Sequence, residues 1–82
     1  MKIKSNIAVS DSGFIFDPTS GDSFTLNEVG RTIFNYIREG LSDEEIFSKL
    51  SAEFELDKAT FDRYFLDFTI TLKQYHLLEN GD

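Results

Sequence analysis

Phe14-Ile15-Phe16-Asp17-Pro18-Thr19-Ser20-Gly21-Asp22-Ser23-Phe24-Thr25-Leu26-Asn27-Glu28-Val29-Gly30 decides the fold of this chain. Phe14 and Phe16 alternate with Ile15, which is the period of a strand. Asp17 to Asp22 is turn chemistry: Pro18 pre-sets its own φ, and Gly21 is free to take a positive one. Alternation resumes at Phe24 and Leu26. Asn27 then fits a helix N-cap, because its side-chain oxygen can accept a free N–H of the first turn. The stretch reads as strand, turn, strand and helix start, and it leaves a strand edge for something else to use.

Upstream, Asn6 to Ser10 alternates Ile7 and Val9 as a further strand, and Asp11-Ser12-Gly13 is the turn that follows. Met1 to Ser5 reads as a loose lead-in. The strands Asn6–Ser10, Phe14–Phe16 and Ser23–Leu26 are separated by short turns, so they predict an antiparallel meander. Downstream, Val29, Ile33, Phe34 and Ile37 share one face of a helix from about Glu28 to Glu39, which Gly40 ends. Ser42 caps a second helix, and Glu45 completes a capping box. Its apolar stripe is Ile46, Phe47, Leu50 and Phe54. Asp57 caps a third helix that reaches about Tyr75 or His76, with Phe61, Tyr64, Phe65, Phe68, Leu72 and Tyr75 on one face. Leu77 and Leu78 are placed to fold back on the core. The expectation is an α+β domain spanning 1–82: a three-stranded antiparallel β-meander followed by three α-helices.

Leu66 and Ile70 lie four apart on the third helix, opposite its main stripe. A helix apolar on two sides sits between layers or meets a partner. Either the hairpin covers this second side, or part of it is a binding groove beside a strand.

Composition narrows the function. With 82 residues the chain is near the lower limit for a self-sufficient core. The nine Phe and three Tyr are the side chains expected to supply that core. There is no cysteine, so disulfides, thiolate metal sites and cysteine nucleophiles are excluded. No apolar run approaches a membrane span, and no hydrophobic signal segment follows Met1, so the chain reads as cytoplasmic and without a membrane partner. The net charge is −7, and the eight bases are scattered. Nucleic-acid affinity rests on neutralising phosphates, so DNA and RNA are not expected partners.

Catalytic chemistry is thin. His76 is the only histidine and falls at a helix end, where capping or surface exposure is the expected role. Gly13, Gly21, Gly30 and Gly40 are too dispersed for a phosphate loop. Ser10, Ser12, Ser20 and Ser23 have no base beside them. Asp43, Glu44 and Glu45 sit in a first helical turn, where they suit the dipole. Asp17 and Asp22 lack the oxygen spacing of a calcium loop. No cofactor or metal is expected, and a binding module fits better than an enzyme.

The ordered elements resemble the PqqD family, the small recognition-element domains of ribosomal peptide natural-product biosynthesis. The resemblance is carried by Asn6-Ile7-Ala8-Val9, Gly13, Phe16-Asp17-Pro18-Thr19-Ser20-Gly21 and Leu26-Asn27-Glu28-Val29-Gly30. It continues through Ile33-Phe34, Gly40-Leu41-Ser42-Asp43-Glu44-Glu45-Ile46, Leu50, Phe54-Glu55-Leu56-Asp57, Phe65, Phe68, Leu72 and Leu77-Leu78. Two positions depart: His76 stands where many members carry Gly, and Tyr64 where many carry Asp.

This resemblance implies a winged helix-turn-helix domain that binds no DNA. It implies that the leader segment of a precursor peptide adds as a strand along Ser23, Phe24, Thr25 and Leu26. The leader's side chains would then enter a groove against the third helix. Arg63, Leu66, Asp67, Ile70 and Thr71 are the groove candidates on that helix. The further partner it implies is a separate peptide-modifying enzyme, such as a radical enzyme, protease or cyclase, to which the leader is presented. A small adaptor or a homodimeric structural protein, joined through the strand edge or Leu66 and Ile70, is the alternative. A winged-helix DNA-binding regulator is the third, but Lys58, Arg63 and Lys73 are offset by Asp62 and Asp67 on the helix that would read DNA.

Overall fold

A computed structural model describes residues 2–79. Strands β1 (Ala8–Val9), β2 (Phe14–Phe16) and β3 (Ser23–Thr25) form one antiparallel sheet in that order. Helices α1 (Glu28–Arg38), α2 (Asp43–Phe54) and α3 (Lys58–Gln74) follow. This is the expected α+β plan of a three-stranded meander and three helices.

The register fixes which side of the sheet is inside. Ile15 pairs with Val9 on one side and Phe24 on the other, and Ile15 is fully buried. Side chains alternate faces along a strand, so Phe14 and Phe16 point the opposite way and stay exposed at 44% and 39%. Gly13 makes the approach of the strand ends possible. Its φ is +87°, and a Cβ there would stand 2.8 Å from the carbonyl oxygen of Leu26. No side chain fits that gap.

Each helix begins where its cap was expected. Asn27 Oδ1 accepts from the N–H of Gly30 (2.8 Å), and Asp57 Oδ1 accepts from the N–H of Thr60 (2.7 Å). Ser42 and Glu45 form the reciprocal capping box, with bonds of 3.2 and 2.9 Å. These bonds pull two carboxyls below their ordinary values: the backbone N–H of Ser42 does so for Glu45, and hydrogen bonding from Thr60 does so for Asp57. Helix α3 stops at Gln74 in a Schellman turn, where the N–H of His76 reaches the carbonyl of Lys73 and that of Leu77 reaches Leu72. His76 holds a φ of +57°. That is the left-handed conformation glycine adopts freely and histidine does not.

Three expectations need correction. The lead-in is not loose. Ile3 is buried and bridges Leu78, the Lys4 N–H donates to the Leu77 carbonyl (2.9 Å), and the Glu79 N–H donates to the Lys2 carbonyl (2.9 Å). The first strand is shorter than Asn6–Ser10, although Ile7 is buried as its pattern required. The core is not chiefly aromatic either: of the phenylalanines only Phe34, Phe61 and Phe68 are fully inside, and Ile and Leu fill the rest. Leu77 and Leu78 do close the core, at 0% and 2% exposure. The hairpin does not cover Leu66 and Ile70, which remain exposed on the far side of α3.

Candidate functional site: an open strand edge above an apolar groove

In an antiparallel ladder, main-chain groups point alternately to the two sides of a strand. The Leu26 N–H donates to the Gly13 carbonyl (2.8 Å), and the Asp17 N–H donates to the Asp22 carbonyl (2.9 Å). Residues 22 and 26 therefore face β2, and the alternation places Phe24 with them. Ser23 and Thr25 direct their N–H and C=O groups to the other side. There β3 has no neighbour among the described residues, because it is the edge strand of the sheet. Four unpaired backbone groups in extended geometry are a template for one more strand.

Below this edge lies a groove of about 300 Å³ between the β3–α1 junction and α3. Leu26, Val29, Ile33 and Phe68 make its apolar surface, while Thr25, Asn27, Asp67 and Thr71 supply its polar atoms and Tyr64 stands on its wall. Gly30 also lines it. A Cβ on Gly30 would come within 3.2 Å of Asn27 Oδ1 and 3.5 Å of Leu26 Cβ. The Leu26-Asn27-x-x-Gly30 motif is thus one object: Asn27 caps α1, and Gly30 keeps the cap close. On α3, residues 64, 67, 68 and 71 recur at the helical period and present one stripe to the groove. The Thr71 hydroxyl is turned back to the Asp67 carbonyl (3.0 Å).

The sequence candidates divide here. Thr25, Leu26, Asp67 and Thr71 meet in the groove, and Ser23 lies on the open edge beside them. Phe24 turns inward and stacks on Tyr75, with ring centroids 4.8 Å apart. Arg63, Leu66 and Ile70 lie outside the groove lining, with Leu66 60% and Ile70 53% exposed. Their spacing was sound, but a rotation of about 100° per residue carries them past the wall. Asn27, Val29, Gly30, Ile33, Tyr64 and Phe68 line the groove without having been singled out for it. For Tyr64 and Phe68 the available signal was their place three and four residues from Asp67 and Thr71.

The groove lining assembles no catalytic set. Asp67 is the sole carboxylate of the groove lining and no base stands beside it. Among the described residues no group of three His, Asp or Glu side chains converges as a metal set, and no helix is long and apolar enough to cross a membrane.

The family model described as coenzyme PQQ synthesis protein D (PqqD) matches residues 13–78. The chain belongs to the PqqD family. Among solved structures, this PqqD-family chain is similar to that of TbiB1 in complex with the TbiA(beta) leader peptide, at 32% identity and a TM-score of 0.84. The match covers 98% of this chain and 96% of that one. Comparison with the curated proteins gives no match.

Proposed function

We propose that this chain, with residues 1–82 acting as one recognition domain, binds the leader segment of a ribosomally made precursor peptide. It presents that segment to a separate modifying enzyme in the cytoplasm. The leader adds as a fourth strand beside β3, exchanging hydrogen bonds with the free N–H and C=O groups of Ser23 and Thr25. Alternate leader side chains then descend into the apolar groove against Tyr64, Asp67, Phe68 and Thr71. Main-chain pairing gives affinity, and the groove gives selectivity. The observation that carries this reading is the juxtaposition of an unpaired edge and an apolar groove. A fold closely matched by a leader-bound relative supports it. The chain performs no chemistry; it raises the local concentration of the attached core peptide at the enzyme.

The test is an amide chemical-shift titration with the synthetic leader of the precursor encoded beside this gene. Saturable shifts at Ser23–Leu26 and along residues 64–71 are expected. Thr25→Pro removes one outward donor and leaves the β2 ladder intact, so it should abolish binding in a protein that is still folded. Undiminished affinity in folded Thr25→Pro would count against this edge.

Exposed Leu66 and Ile70 favour one second reading, an adaptor or self-associating protein that uses the far side of α3. A concentration-dependent mass unaffected by leader, and lost in Leu66→Lys, would support it.

A further inference from the structure

The outer face of the sheet is built the wrong way round for a solvated surface. Antiparallel sheets with one buried face normally show polar side chains on the other. Here that face carries Phe14 and Phe16 at its centre, 44% and 39% exposed. Register sets Phe14 beside Thr25, and sets Phe16 between Ala8 and Ser23. Two large rings stand side by side on an otherwise small-residue face, a continuous apolar feature rather than single scattered exposures.

This patch is continuous with the open edge. A strand added beside β3 would alternate its own side chains, one set entering the groove and the other lying next to Ser23 and Thr25. That second set would extend the rows that begin at Phe14 and Phe16. We propose that the outer face, centred on Phe14 and Phe16, is the docking surface for the modifying enzyme, and that bound leader completes it. The inference rests on the leader-binding reading. Its consequence is that the enzyme engages the loaded domain in preference to the empty one.

Charge selects the occupant. Exposed Asp11 and Asp22 flank the face at its two ends, and the chain as a whole carries −7. A second copy would set like charges against like around the apolar centre. An enzyme surface with an apolar centre and a basic rim meets both features.

The experiment uses three purified components: this chain, fluorescein-labelled leader of the precursor encoded beside its gene, and the modifying enzyme of the same gene cluster. The variant is Phe14→Thr/Phe16→Thr, which places β-branched, strand-favouring residues at the exposed strand positions. Leader affinity should stay within about twofold, while affinity for the enzyme should fall roughly tenfold or more, as expected for central anchors. Wild-type chain should bind the enzyme roughly tenfold tighter with leader than without it, a difference that equilibrium titration resolves. Asp11→Lys/Asp22→Lys, which changes two exposed turn positions, should weaken enzyme binding alone and serves if the Phe variant is poorly folded. Wild-type enzyme affinity in a folded Phe variant or in the Asp variant overturns the proposal. So does equal enzyme affinity with and without leader, or self-association that the Phe variant abolishes. Failure of the wild-type chain to bind leader overturns the leader reading itself, and is seen before enzyme is added.

Discussion

The two faces of β2 differ in kind although their residues are immediate neighbours. Ile15 has no exposed surface and is locked between Val9 and Phe24. Phe14 and Phe16, larger and more apolar in area, stand on the other side in solvent. Hydrophobicity alone would have put the phenylalanines inside. Register decided otherwise, because one odd residue in a three-residue strand must oppose the other two. The inner face thus holds the fold, while the outer face leaves two large rings open to contact.

Breaking the inner face should have the largest effect. Ile15→Ala leaves a cavity in a packed core and should cost about 2–5 kcal/mol, read as a loss of thermal and denaturant stability. A small domain has little to spare, so partial unfolding at ambient temperature is within reach of that loss.

Sharpening the inner face should have a smaller effect of the opposite sign. Tyr75 covers the inward side of Phe24, and the turn that places it holds His76 at φ +57°. His76→Gly relieves that conformation and should stabilise by about 1 kcal/mol, seen as a rise in Tm of several degrees. A fall in Tm would mean that the imidazole contributes more than its backbone costs.

Breaking the outer face should hardly register in stability. Phe14→Thr or Phe16→Thr should shift unfolding by about 0.5 kcal/mol or less. A loss comparable to that of Ile15→Ala would erase the contrast between the faces.

The smallest expected effect is on acid sensitivity. The folded-state values of Glu45 and Asp57 are lowered by their capping bonds. A depressed carboxylate adds stability that is present above its unfolded pKa and is lost as pH falls through its folded value. Asp57→Asn keeps a capping acceptor but removes that titration. Its stability should fall less steeply than wild type as pH drops below the ordinary carboxylate range, measured by Tm against pH.

Much of this was legible in the chain. Caps at Asn27, Ser42 and Asp57 are local chemistry, and their bonds form as the residue types require. The turn at Asp17–Asp22 likewise needs no tertiary context, and its Gly21 takes a φ of +80°. The role of Ile3 was not legible, because its partner Leu78 lies at the other end of the chain and a single bridge has no periodicity. The groove was half legible. β3 could be assigned as an edge from strand order, and Asp67 and Thr71 from helical spacing. Which side of α3 turns to the groove depends on how α1 and α3 pack, and Leu66 with Ile70 offered a rival stripe of equal apolarity. Tyr64 and Phe68 looked like core from spacing alone; Phe68 is core and groove floor at once.

The bridge between Ile3 and Leu78 has a bearing on architecture. Residues 2–4 and 77–79 leave the domain side by side, and Lys2 Nζ lies 3.7 Å from a carboxylate oxygen of Glu79. A host polypeptide could enter and leave through this one doorway. The unit is therefore suited to grafting as a cassette into a surface loop of another protein, with the β3 edge still free.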